Sequence, residues 1–272
     1  EFNNNLGKTI KKKFIMRGTH TSTNTGDAAA KILTAAFNLT LEIHGVFYGA
    51  GGIGGTSSSL SGTNGGPALS INSGRVIVDI QPNGKIYGGG GGGEFGANGS
   101  QGTAGICQKD TTVTACNTTP SCPPGQTLIS QSQGGCCALE RFCWGPWQSF
   151  CGNNCVGYTQ VGVCRETTAS TTPAAVIGGN GGAGRGFNNF SGSLLGSVGA
   201  SPNCPTCASG FTLQGGTGSC GSQGGTGGTG GDWGQNGGST AAAGSGGLGG
   251  AAITGSGFTV VGNNSNTVKG AI

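Results

Sequence analysis

Residues 76–93 read VIVDIQPNGKIYGGGGGG. An apolar strand ends at Ile80, a turn follows at Pro82-Asn83-Gly84, and a short strand ends at Tyr87 before six consecutive glycines. Residues 39–52, LTLEIHGVFYGAGG, repeat the phrase: Ile43 maps to Ile80, Gly45 to Gly84 and Tyr48 to Tyr87. Leading into that copy, Phe37, Leu39, Leu41 and Ile43 alternate with Asn38, Thr40, Glu42 and His44, the period of a strand with one apolar face. A weaker third echo runs from Ile253 to Val261, turns, and resumes from Thr267 to Ile272. Recurrence of one phrase at distant positions predicts strands stacked on a common small β layer.

Between these phrases glycine dominates. The chain has 63 Gly in 272 residues, against an average of about 7%. Only 33% of residues are hydrophobic, too few for an ordinary core along the whole length. Long helices are excluded, because each helical Gly costs about 1 kcal/mol relative to Ala; a short helix is expected only over Asp27–Ala36. Disorder is the ordinary expectation for such a composition, but the spacing argues against it. Gly90, Gly93, Gly96, Gly99, Gly102 and Gly105 form one track of period three, and Gly215, Gly218, Gly221, Gly224, Gly227 and Gly230 form another. Further tracks are Gly225-228-231-234-237, Gly49-52-55, Gly178-181-184 and Gly244-247-250. Three residues per turn is the period of the polyproline II conformation, which makes no internal hydrogen bonds. Glycine edges let backbones approach closely, so adjacent runs can satisfy one another's N–H and C=O groups. The expected fold is mostly irregular and β: a polyglycine II helix bundle, or sandwich, with short β-strands, a disulfide-rich insert and little or no α-helix.

The twelve cysteines are Cys107, Cys116, Cys122, Cys136, Cys137, Cys143, Cys151, Cys155, Cys164, Cys204, Cys207 and Cys220. Nine lie within 107–164 and three within 204–220, so complete pairing requires at least one bridge between the two odd groups. Vicinal Cys136 and Cys137 are expected to take different partners. Zinc is disfavoured as the reason for these cysteines, because the only histidines, His20 and His44, lie far upstream. Disulfides also answer an energetic need: ordered glycine loses much backbone entropy and buries little apolar surface.

Charge and motif content narrow the function. Lys8, Lys11, Lys12, Lys13 and Arg17 against Glu1 account for the entire net charge of +4. Nothing beyond residue 17 forms the basic stripe that nucleic-acid binding needs. No run of 18 apolar residues exists to span a membrane. Gly49-x-Gly-x-x-Gly54 matches a dinucleotide fingerprint only formally, since no helix and no acidic residue follow at the required places. With two His and nine carboxylates no catalytic set declares itself; no enzyme activity, cofactor or metal is expected. The start at Glu1-Phe2 reads as a processed product or the C-terminal part of a longer protein.

The strand phrases that end in polyglycine (Gly65-Gly-Pro-Ala-Leu69, then Pro82 to Gly93) and the stretch Gly227-Gly-Thr-Gly-Gly-Asp-Trp-Gly-Gln-Asn-Gly-Gly238 resemble the glycine-rich receptor-recognition adhesins of T-even-type phage tail fibres. The resemblance covers roughly 37–105 and 176–272; the Cys-rich stretch 106–175 departs from it. It implies a polyglycine II sandwich whose loops contact a bacterial surface receptor, an outer-membrane protein or surface glycan, in an extracellular virion tail. Four regions are expected: 1–36 for attachment, 37–105 with β phrases and the first tracts, 106–175 as the Cys-rich insert, and 176–272 with the second tracts and the last β phrase. The basic N-terminal segment would join a trimeric fibre body or another tail-tip protein. Candidate receptor-binding residues are Phe142, Trp144, Trp147, Phe150 and Tyr158 in the insert, and Phe187, Phe190, Leu194 and Leu195 in a Gly/Ser/Asn setting. The insert aromatics read equally as its own miniature core, and the second group as packing between tracts. Alternative functions are a structural subunit of an extracellular fibre or matrix, and an ice-binding protein.

Overall fold

The computed structural model describes residues 11–33, 38–72, 74–144 and 150–272. The chain forms two compact units. One comprises Glu1–Ser100, Ala175–Pro202 and Ser222–Ile272; the other comprises Gln101–Ala174 and Asn203–Gly221. In chain order the strands are β1 (Lys12–Met16), β2 (Thr19–Thr21), β3 (Ala30–Ile32), β4 (Leu39–Ile43), β5 (Val46–Tyr48), β6 (Leu69–Ile71), β7 (Val76–Ile80) and β8 (Lys85–Tyr87). They continue as β9 (Ile106–Cys116), β10 (Thr127–Trp144), β11 (Phe150–Ala169), β12 (Thr212–Leu213), β13 (Ile253–Gly255), β14 (Phe258–Val261) and β15 (Val268–Lys269). No helix occurs among the described residues.

The repeated phrase is one coil of a short parallel β-helix. Its three sheets run β1-β4-β7-β14, β2-β5-β8-β15 and β3-β6-β13, and every pairing within them is parallel. The sequence alignment is the physical register: Ile43 pairs with Ile80 and Tyr48 with Tyr87. Leu41, Ile43, Phe47, Leu69, Ile71, Val76, Val78, Ile80, Ile86 and Ile253 point inward and form the apolar core. Most of the buried large apolar residues are thus concentrated in this layer.

Residues 12–32, whose polar character hides it, form a further coil. The helix expected over Asp27–Ala36 does not form among its described residues. Ala30–Ile32 is β3, paired in register with Leu69–Ile71, and this tertiary pairing outweighs a weak local preference. Residues 34–36, and Phe37 at the head of the next strand phrase, lie outside the described residues.

Each coil opens at the same corner, between its second and third strands. The corner spans 22–29 in the first coil, 49–68 in the second and 88–252 in the third. All the glycine tracts lie in the second and third of these excursions. Residues 86–96 are buried throughout, although seven of the eleven are glycine. The N–H groups of Gly89, Gly92 and Phe95 donate to Gly66, Thr63 and Leu60; those of Gly90, Gly93, Gly96 and Gly99 donate to Arg185, Gly182, Gly179 and Val176. Gly49, Gly52 and Gly55 donate to Tyr87, Gly90 and Gly93, all at 2.8 Å. Gly225, Gly228 and Gly231 donate to Ala97, Glu94 and Gly91, and Gly224, Gly227 and Gly230 to Ala200, Ser197 and Leu194. Over these residues a period-three glycine track is therefore one row of hydrogen bonds to one neighbouring segment.

The second unit is an antiparallel sheet in the order β10-β11-β9-β12. Most of β10 is exposed, and among the described residues the sheet's fully buried apolar side chains are Cys107 on β9 and Cys164 on β11. Its described disulfides are Cys107–Cys207, Cys116–Cys137, Cys122–Cys164, Cys136–Cys155 and Cys204–Cys220. Cys107–Cys207 is the bridge between odd groups that parity requires, and Cys136 and Cys137 take different partners. Cys143 is also disulfide-bonded, while the side chain of Cys151 lies outside the described residues.

Candidate receptor-binding surface

Two groups of loops leave the glycine tracts of the first unit. The first follows Arg185. Gly186 and Asn189 form a bridge that closes a tight turn. The turn is pinned to the second coil: Phe187 N–H donates to Gly49 O at 3.1 Å, and Gly51 N–H donates to Asn188 Oδ1 at 2.7 Å. Arg185 donates to Phe190 O and pairs with Asp232 at 2.6 Å. These bonds seat the Phe190 ring edge-on against Tyr48 and Trp233, at 5.2 and 5.7 Å between centroids. Tyr48 stacks on Trp233 at 4.9 Å, and Tyr87 lies beside both. The Tyr that closes each strand phrase thus roots an aromatic cluster at the base of the glycine bundle. Burial raises the phenol pKa of both Tyr48 and Tyr87, and the Tyr87 hydroxyl donates to Asn266 O.

Phe190 combines both sequence readings, since it packs on the cluster yet stays half exposed. Phe187 and Leu195 are exposed, Leu195 at 74%, and Leu194 is half-buried. Ile177 and Val198 extend the exposed apolar set on the adjoining tracts, where Ala200 N–H donates to Ile177 O. The structure therefore places the Phe187–Leu195 candidates on one stretch of surface. In the second unit, Tyr158 lies exposed on β11, with Leu139 and Val156 also exposed. Trp147 and the side chains of Phe142, Trp144 and Phe150 lie outside the described residues.

The second loop group carries residues that the sequence did not single out. Thr56 and Ser59 close a turn after Gly55. Beside it runs the segment 239–245, whose Ser245 accepts from Gly62 N–H. Leu60, Phe95, Asn98, Ala242 and Ala243 border a hollow of about 290 Å³ between them. Glu94 lies wholly buried behind the segment. One signal was available: Glu94 is the only charged residue between Lys85 and Lys109, placed directly after six glycines.

A third surface lies at the first coil of the β-helix. Phe14, Ile15 and Leu33 are exposed there. A hollow of about 470 Å³ opens onto Phe14, Met16, Ile32, Leu41 and Leu69, residues of the core's own ladders. Among the described residues, no group of three or more His, Cys, Asp or Glu could hold a metal ion. No helix there is long and apolar enough to cross a membrane.

A family model described as phage tail fibre adhesin Gp38 matches residues 2–138, about half of the chain. The chain belongs to this family. The match takes in the N-terminal segment and the first part of the Cys-rich insert, stretches the sequence resemblance had left aside. The adhesin is a viral protein of the extracellular virion tail, and its role is binding. No curated protein and no solved structure matches it.

Proposed function

We propose that this adhesin is the receptor-recognition tip of a tail fibre. Its first β-helix coil joins the fibre body, and its glycine tracts, packed as polyglycine II helices, display the loops that meet an outer-membrane protein or surface glycan of the host. The observation that carries this reading is the single-corner topology: every glycine tract, with the loops it carries, leaves the β-helix at one corner, and the first coil is left for attachment. Hydrogen bonds that repeat every third residue support the polyglycine II conformation. Exposed apolar residues continuous with the β-helix core, together with Lys11, Lys12, Lys13 and Arg17, support attachment at the first coil, where a partner could extend the core. Phe187, Phe190, Leu194 and Leu195, with Tyr158 and the remaining insert aromatics, are the proposed receptor contacts, since rigid aromatics on a preorganised scaffold dominate binding energies. The purified adhesin should bind cells that its phage infects and block adsorption in proportion to its concentration. Failure to bind any susceptible strain would defeat the reading.

A further inference from the structure

We infer that Glu94 is a positioning residue for receptor recognition: its buried carboxylate is the anion around which the segment 239–245 is built, and that segment belongs to the receptor-contact surface. The inference rests on the adhesin reading above. A carboxylate is costly to bury unless its oxygens are hydrogen-bonded, and Glu94 is completely buried. Both oxygens are satisfied by this one segment. Oε2 accepts the Thr240 N–H and Oε1 accepts the Gly244 N–H at 2.8 Å. Within the same turn, the Thr240 hydroxyl donates to Phe95 O at 2.9 Å and accepts the Ala242 N–H at 3.2 Å.

The side chain is not needed by the scaffold around it. The tract ladder at this position uses only main chain: Glu94 N–H donates to Gly238 O, and Glu94 O accepts from Gly228 N–H. A glycine would fill both roles, as it does at the six preceding positions. The carboxylate therefore serves the segment alone. The segment, STAAAGS, has no large side chain with which to anchor itself. It nevertheless displays Ser239, Ala241, Ala243 and Ser245 to solvent beside exposed Leu60. Fixing such a chain before contact removes an ordering cost that binding would otherwise bear.

The test compares the full-length wild type, Glu94→Gln, Ala241→Arg and the double variant. Each is assayed for blocking of phage adsorption, for hydrogen exchange and for its urea unfolding midpoint. Ala241→Arg places a bulky charge on the displayed face without touching the clamp. It should raise the blocking concentration about tenfold, equivalent to roughly 1.4 kcal/mol of binding. Glu94→Gln sets an amide against two N–H donors. It should raise the blocking concentration by a similar factor and speed exchange at Thr240 and Gly244, while Gly91 and Gly93 stay protected. The double variant should block no worse than the weaker single variant, because the two changes act through one segment. Wild-type blocking by either single variant overturns the proposal. So do fully additive losses, or loss of protection along the whole tract, which would make Glu94 a scaffold residue. If the wild type itself blocks nothing, the adhesin reading fails, and the proposal fails with it.

Discussion

Gly92 has backbone on every side. Its N–H donates to Thr63 O and its O accepts from Gly247 N–H. A Cβ there would sit 2.0 Å from Ile53 O, which is main chain and cannot swing away. Substitution must spread three segments at once. Overpacking costs about 1–3 kcal/mol, and each strained hydrogen bond adds about 0.5–1.5 kcal/mol. Gly92→Ala should therefore destabilise by about 3 kcal/mol. At Gly215 a Cβ meets nothing within 4 Å, so Gly215→Ala should shift stability by no more than about 0.5 kcal/mol. Urea unfolding midpoints of the two variants test whether glycine acts through close approach or merely through composition. Glu42, on the outer face of β4, offers a residue-level prediction in pH. The Lys13 ammonium, and then His44, hold its carboxyl below the ordinary value of 4.5. A lowered folded value means that the ion pair stabilises above the unfolded value, and that this contribution disappears as pH falls through the lowered one. Glu42→Gln should be less stable than wild type at pH 7, and the gap should narrow as pH falls through the lowered value.

At the scale of elements, the two units are held by different means. The β-helix coils cohere through in-register apolar ladders, whereas the second unit's sheet buries little beyond Cys107 and Cys164. Its stability then depends on cross-links. The Cys107–Cys207 bridge spans 100 residues of chain, and such a closure is worth up to about 4.7 kcal/mol in the chain-entropy model. Converting both cysteines to Ser should make the second unit sensitive to limited proteolysis at protease levels that leave the wild type intact. These differences also explain what was legible in the sequence. The coils at 39–48 and 76–87 could be read because a period-two pattern, a turn and a Tyr recur at matched spacing. The coil at 12–21 could not, because its inward Phe14 is exposed and lysines crowd its strand. The odd-group bridge followed from counting alone. Phe190 was legible as an apolar residue in a polar setting, but not its seat on Tyr48 and Trp233. A lone charge after six glycines marked Glu94 itself, but not its partners, which lie 146 and 150 residues away, and no local pattern encodes a contact at that range.

For the whole molecule, the decisive feature is where the long excursion begins and ends. The chain leaves β8 at Tyr87 and returns to β13 at Ile253. The two crossings lie side by side, for Gly250 N–H donates to Gly89 O at 2.6 Å. To the β-helix, the intervening residues are a single corner loop, and loop length enters stability only logarithmically. Apart from Ala252, the coils below make their core from residues outside the excursion, and the corner in the first coil needs only residues 22–29. Function should divide at the same junction. Exchanging 88–250 for the corresponding stretch of another adhesin of this family should move host range to that of the donor, while assembly onto the recipient's fibre persists. The experiment places the chimera in the recipient phage and measures adsorption to the two hosts, with fibre incorporation followed by immunoblot of purified virions. Virions that carry the chimera but keep the recipient's host range would locate recognition in the coils. Virions that lack the chimera would mean that attachment draws on the glycine excursion as well as on the first coil.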